Sequence, residues 1–321
     1  MNKLKELLPP DKILAELYNR KYISLNAKKQ KQLILNLIEN RPLDLTDDPK
    51  DFIQLGNVLN KNPMGKKYAL QLYKKGYELG SNDAEFMYAK LLSEGYAGQK
   101  GNNNEAMKHI KKLAGENHGL ANHVLALKSQ ASGDIKSLLN YLDKAAENGA
   151  LESMLMLGEY YKTGKYLRKD LAKSFEYLTK AQELPMAALL LAEFYKTGDV
   201  VEKNPEKVLE LTLVAANAGI PVAQHNAASM YFEQGNIPFA VEYFKMAATQ
   251  KYVQSMFTLG TLYENGYHSV KRNGRLAWYY YNMVVEEFKG GFEDRKAFEK
   301  SKEALGRVSM DDVEPSYCII Q

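Results

Sequence analysis

Five segments of this chain end on the same beat. "EFMYAKLLSEG" closes at Gly95, "MLMLGEYYKTG" at Gly164, "ALLLAEFYKTG" at Gly198, "HNAASMYFEQG" at Gly235 and "MFTLGTLYENG" at Gly266. Six residues before each glycine stands a small residue, Ala89, Gly158, Ala192, Ser229 or Gly260, and three before it stands Leu92, Tyr161, Tyr195, Phe232 or Tyr263. A further copy, "VLALKSQASG" ending at Gly133, carries Leu127 and Gln130 at these places and reads as degenerate. A recurring unit of this kind decides architecture before any local propensity does.

Each segment is joined to a second pattern: a mostly small residue, an often aromatic or apolar one three later, and small ones seven and eight later. Its members are Ala69/Leu72/Gly76, Ala106/His109/Leu113, Leu138/Tyr141/Ala145, Ser174/Tyr177/Ala181, Val208/Leu211/Ala215, Ala240/Tyr243/Ala247 and Ala277/Tyr280/Val284. Their first positions are separated by 37, 32, 36, 34, 32 and 37 residues. Spacings of three, four and seven lie on one stripe of an α-helix, so each copy predicts two amphipathic helices. Small side chains let the helices approach, and the aromatic fills the gap beside them. The glycine ending each first helix can take the left-handed conformation of a C-cap. Second helices are expected to end similarly, at Gly80, Gly119, Gly149 and Gly219. One hairpin cannot bury its apolar stripe alone, so neighbours must stack on it. The expected fold is an all-α solenoid of seven helix pairs.

A partial copy, "DFIQLGNVLNKNPM", sets the first pair near residue 49. Residues 1–48, with Pro9, Pro10 and Pro42 as punctuation, read as a helical N-terminal cap, and 49–290 as the repeat array. Residues 291–306 read as a charged capping helix and 307–321 as a flexible tail.

The combination A-x-x-x-L-G-x-x-Y-x-x-G, followed by a small residue, an aromatic three on and Ala-Ala, resembles the Sel1-like repeat family, relatives of tetratricopeptide repeats. Its best copies here start at Ser153, Ala187 and Ser255, with Ala-Ala pairs beginning at Ala145, Ala215 and Ala247. The resemblance covers roughly residues 50 to 290. It implies a right-handed superhelix of about seven helix-turn-helix repeats that binds or organises other proteins. The sequence departs from the family in two ways. The tryptophan of the second helix becomes Leu, His or Tyr, and the Asp before that helix is evident only at Asp170.

Composition mainly excludes. The 43 Lys and Arg are interspersed with 39 Asp and Glu, leaving a net charge of +4 without a basic block for nucleic acid. A single cysteine permits no internal disulfide, which fits a reducing compartment. The start of the chain has no apolar signal core and no acid-free, Arg-rich presequence. No stretch approaches the roughly 18 apolar residues of a membrane span. The histidines, His109, His118, His123, His225 and His268, form no metal motif, and neither a nucleophile elbow nor a phosphate loop is present. No catalytic residue, metal or cofactor is expected. RNA-binding helical repeats share a period near 35, but no basic stripe recurs here, so the expected partners are proteins.

Two places suggest where partners dock. Tyr160, Phe194 and Tyr231 occupy equivalent positions in three successive repeats. They read as an aromatic ladder for a peptide or, because the family pattern is apolar there, as packing between helices. In "YHSVKRNGRLAWYYYN", Lys271 and Arg272 read as a phosphate or headgroup contact, or as a solvated loop with Tyr280 in the core.

The lone cysteine stands fourth from the end, in Cys318-Ile319-Ile320-Gln321. That arrangement matches the C-a-a-X signal, in which glutamine at X usually directs farnesylation. A single prenyl chain holds weakly, so reversible contact with a cytosolic membrane face is expected. Fungal chitin-synthase activators combine Sel1-like repeats with such a box, and this shorter chain resembles them in that arrangement. The resulting expectation is a non-enzymatic adaptor that recruits or activates a membrane-associated partner, such as a membrane enzyme or its complex, in the chitin-synthase-activator manner. The alternatives are a soluble or mitochondrial assembly factor and an RNA-binding repeat protein.

Overall fold

The computed structural model describes residues 9–95 and 100–308, and its regular elements are 17 helices. Two come first, α1 (Asp11–Asn19) and α2 (Ala27–Ile38). Seven hairpins follow: α3 (Pro49–Asn60) with α4 (Lys66–Glu78), α5 (Asn82–Glu94) with α6 (Asn103–Gly115), α7 (Gly119–Ser132) with α8 (Ile135–Glu147), α9 (Leu151–Thr163) with α10 (Leu171–Lys180), α11 (Pro185–Thr197) with α12 (Pro205–Asn217), α13 (Pro221–Glu233) with α14 (Ile237–Thr249), and α15 (Val253–Asn265) with α16 (Gly274–Glu287). The last described helix is α17 (Phe292–Arg307). The chain divides into two compact units, Met1–Ser153 and Met154–Gln321, with the boundary inside α9.

Short polar side chains set the second helices. Asn102, Asp134, Asp170, Asn204 and Asn273 each accept a bond from the backbone N–H three residues on, capping α6, α8, α10, α12 and α16. The aspartate evident at Asp170 has an equivalent in Asp134, and asparagine accepts the same bond at the other three places. In four hairpins the capping residue's own N–H donates back to the first helix, to the carbonyl of Leu92, Tyr161, Tyr195 or Tyr263, at 2.8–3.0 Å. Those are the residues three before the terminal glycine.

The glycines that end first helices, Gly95, Gly133, Gly164, Gly198, Gly235 and Gly266, all have positive φ, between 72° and 80°; Gly133 and Gly198 are left-handed C-caps, whereas Gly95 and Gly266 turn the chain with ψ of 163° and 150°. Gly119 departs from the expectation. It is the first residue of α7, and Asn117, at φ 61°, makes the preceding turn, asparagine being one of the few residues that tolerate that region.

The second-helix pattern is buried at its first and seventh-later positions in all seven copies. The fourth residue on is buried in every copy, whereas the third is buried only in two, as Leu72 and Leu211. Tyr73, Ile110, Leu142, Leu178, Thr212, Phe244 and Tyr281 are buried, whereas Tyr141, Tyr177, Tyr243 and Tyr280 are half-exposed. Those outer rings stack on first helices instead: Tyr177 on Tyr161 at 5.9 Å and 7°, Tyr280 on Tyr263 at 5.9 Å and 3°. In three hairpins the fourth-place residue packs where the first helix has no side chain at all. A methyl on Gly56 would lie 2.4 Å from the Tyr73 ring, one on Gly158 2.7 Å from Leu178, and one on Gly260 2.7 Å from the Tyr281 ring.

Elsewhere a buried alanine serves: Ala89, Ala126, Ala192 and Ala228. Ala126 and Ala228 stand seven residues before their glycine instead of six. The reason is a tight turn, with Gly133 and Gly235 directly preceding Asp134 and Asn236, the residues that open α8 and α14. Counting back from the glycine therefore slips the register by one. Leu127 is 43% exposed rather than a core intruder, and the copy read as degenerate has a regular small residue after all.

Candidate functional site

A wide groove of about 1110 Å³ opens in the first unit where α5, α6 and α7 meet. Helical spacing aims the residues that line it. Phe86 and Lys90 on α5, Met107 and Lys111 on α6, and Leu120, Val124 and Lys128 on α7 each recur every four residues along one face. The floor is apolar, with Met87 and Ile110 joining Met107, Leu120 and Val124. The rim is basic, with Lys90, Lys108, Lys111 and Lys128 set against a single lining acid, Glu152. All four lysines are exposed. Nearby carboxylates are already engaged: Glu94 pairs with Lys66, and Glu85 with Lys112.

The second unit has a groove at the same address, of about 530 Å³, among α11, α12 and α13. Val208, Thr212 and Met230 line it 102 residues after Ala106, Ile110 and Lys128 of the first groove. Its charges balance, since Glu193 and Glu233 face Lys196 and Lys203. Glu193 is also ion-paired with Lys162.

The two units share a staple, and in the first unit its histidine, His123, lines the groove. His123 Nδ1 is hydrogen-bonded to Ser153 Oγ at 2.8 Å, and His225 Nδ1 to Ser255 Oγ at 2.9 Å. Each pair joins the starts of two successive first helices. Both serines are fully buried, so a substrate has no access to either pair as a nucleophile and base. Burial lowers the pKa of both imidazoles; at His123, nearby Glu152 opposes the shift.

The spacing of these hairpins and grooves agrees with a known repeat. A family model described as Sel1 repeat matches residues 65–81, 82–118, 151–184, 185–220, 221–252 and 253–283, more than half of the chain. The chain belongs to the Sel1 repeat family. Residues 119–150, which the Sel1 repeat matches leave out, nonetheless fold as the α7–α8 hairpin. Among solved structures the chain is similar to c5321, a protective antigen of uropathogenic Escherichia coli strains with an SLR fold. The two are 19% identical, with 95% of this chain and 70% of that one covered, at a TM-score of 0.59. It is also similar to a Sel1 repeat protein from Oxalobacter formigenes, at 23% identity, with 88% of this chain and 80% of that one covered and a TM-score of 0.50. These likenesses concern the fold. No curated protein matches the chain in sequence. Sel1 repeat proteins are protein-interaction scaffolds.

Within this Sel1 array the residues singled out from sequence fall in different settings. Tyr160 and Phe194 are 5% and 3% exposed, so they pack between helices rather than line a ladder. Tyr160 meets Tyr166 edge-on at 5.1 Å, and Phe194 meets Phe175 at 5.6 Å. Tyr231 is half-buried and stacks on Phe239 and Tyr243. Lys271 and Arg272 are exposed on the α15–α16 turn, beside a cleft lined by Pro238, Val241 and Tyr263. The core tyrosine of that segment is Tyr281, not Tyr280. Its hydroxyl donates to Glu264 Oε2 at 2.7 Å, and burial together with that carboxylate raises its pKa to about 12. Cys318 lies outside the described residues.

Two buried carboxylates went unnoticed in the sequence, because nothing local marks a solvated acid from a buried one. Asp51 accepts from Ser24 N at 2.7 Å, Ser24 Oγ at 2.5 Å and Thr46 Oγ1 at 2.6 Å. Glu85 is held between His109 Nδ1 and Lys112 Nζ, each at 2.7 Å, in an adjoining cleft that Glu105 and Lys108 also line. Among the described residues no cluster of three His, Cys, Asp or Glu is placed to hold a metal ion, and no helix is long and apolar enough to cross a membrane.

Proposed function

We propose that this chain is a non-catalytic scaffold that holds segments of other proteins in the grooves between its Sel1 repeats, with the α5–α6–α7 groove as its principal seat. One observation carries the reading. Met87 and Met107 pack against the core on one side and stay half-exposed on the other, Leu120 is 38% exposed, and with the lysines they line a channel of about 1110 Å³, room enough for several side chains. Family membership supports the same reading, since a stack of hairpins offers an extended surface between repeats. The test is selection of peptides from an unbiased display library on the full chain. Binders are expected to lose affinity when Met107→Asp and Leu120→Asp are introduced together. Selection of no peptide sensitive to that pair defeats the proposal.

The finer reading places the scaffold on the cytosolic face of a membrane through a prenyl group on Cys318. It rests on the four residues Cys318-Ile319-Ile320-Gln321 alone. Intact mass of protein from its native cell, with fractionation of wild type and Cys318→Ser, decides it. An unmodified, wholly soluble wild type removes the lipid and leaves the scaffold.

A further inference from the structure

Resting on that scaffold reading, we infer that the first-unit groove is selective for an acidic protein segment: a stretch in which carboxylates flank two or three apolar side chains. The argument is charge complementarity at a defined place. Lys90, Lys108, Lys111 and Lys128 come from three helices and converge on one apolar floor, with Glu152 the sole lining acid. Four ammonium groups around a concave surface repel one another, and low-dielectric walls focus their field into the groove. An incoming carboxylate relieves that repulsion, whereas a neutral segment leaves it in place.

The floor discriminates among anions. Methionine and leucine side chains accept apolar residues of varied shape, whereas single-stranded nucleic acid is held by aromatic faces on which bases stack. Of the two lining rings, Phe86 is 7% exposed, and His123 is half-buried with its Nδ1 bonded to Ser153 Oγ, so no run of open faces is offered. A concavity between helices also suits a narrow segment better than a flat lipid surface. Selectivity arises from the lysines, and it is absent from the equivalent second-unit groove, where two acids face two lysines.

The experiment uses the full chain and the selected peptides, synthesised with a fluorophore and followed by anisotropy. Selected sequences are expected to carry net negative charge interleaved with apolar residues, and to bind about 10-fold more weakly as NaCl rises from about 50 to 500 mM, because screening shortens the reach of exposed charges. The exposed double substitution Lys90→Glu, Lys128→Glu should weaken them about 10-fold or more. The same peptides with lysine in place of their acids should regain binding to that variant. Circular dichroism and thermal melts of the variant should match wild type.

Neutral or basic selected peptides, or affinity unchanged by the lysine reversals, overturn the inference. So does RNA or a phosphatidylserine vesicle that displaces the peptides through the same lysines. If binding depends on Met107 and Leu120 but not on the lysines, the scaffold stands and the selectivity falls. If no peptide depends on the groove at all, both fall.

Discussion

The groove beside α6 and the groove beside α12 share an address and almost nothing else. Both are framed by two first helices and the second helix between them, and both units carry a histidine–serine staple, the second 102 residues after the first. One is basic, and the other has about half the volume and balanced charge. What they share comes from residues that point between helices, where packing tolerates little change of volume. What distinguishes them comes from residues that packing leaves exposed. In a repeat array the two sets are separable, so binding character can vary from unit to unit on one backbone plan.

The shared framework is where substitution should hurt most. Gly56→Ala in the first unit and Gly260→Ala in the second each drive a methyl into a tyrosine ring, at 2.4 and 2.7 Å. Overpacking of this kind costs about 1–3 kcal/mol. Urea denaturation and amide exchange should show the loss concentrated in the hairpin that carries the change, and equal stability to wild type would break the claimed equivalence. Next come the caps. Asp134→Ala and Asp170→Ala, one in each unit, each remove a side-chain acceptor for a helix N-terminus at 3.0 Å. Each should cost about 1 kcal/mol, read from denaturant midpoints, with asparagine at the same place restoring most of it.

The staples predict a smaller, pH-dependent effect of one sign in both units. Burial lowers the pKa of His123 and His225 below that of the unfolded chain. Their contribution is therefore fully present above about pH 6.5, falls as pH drops below that value, and stops falling below the folded-state pKa. Denaturation at pH 7.5 and 5.5 should show less of that loss in the double variant His123→Gln, His225→Gln than in wild type. An identical slope in the two would sink the assignment. The smallest effect sharpens the contrast itself. Glu193→Lys with Glu233→Lys makes the second groove basic, and acidic peptides that ignored it should then bind a few-fold more tightly there in titration. Affinity should remain below that of the first groove, because the cavity is narrower.

Much of this was legible in the residues. Seven hairpins, their turns and the small positions of their first helices follow from glycine and alanine recurring at helical intervals. The failures were failures of register. Counting from the terminal glycine misplaced the small residue at Ala126 and Ala228, because a tight turn and a long loop look alike until the helix end is located. Outside Leu72 and Leu211, which are buried, the fourth-place core residue was mistaken for the third, since both places lie near the apolar stripe, as Tyr280 and Tyr281 do. The candidate binding residues fared worse. Of the two readings open for Tyr160 and Phe194, burial favours packing between helices over the ladder, while nothing in the sequence marked Lys90, Lys108, Lys111 and Lys128.

The amino-acid order by itself determined that this chain would be helical hairpins in series, because spacing along a helix is a local property and small residues at fixed intervals have few other uses. Tertiary structure alone decided which lysines meet over one floor and which carboxylates are drained from the surface. Residues 90, 108, 111 and 128 come from three helices, and only the packing of those helices brings their charges into one field.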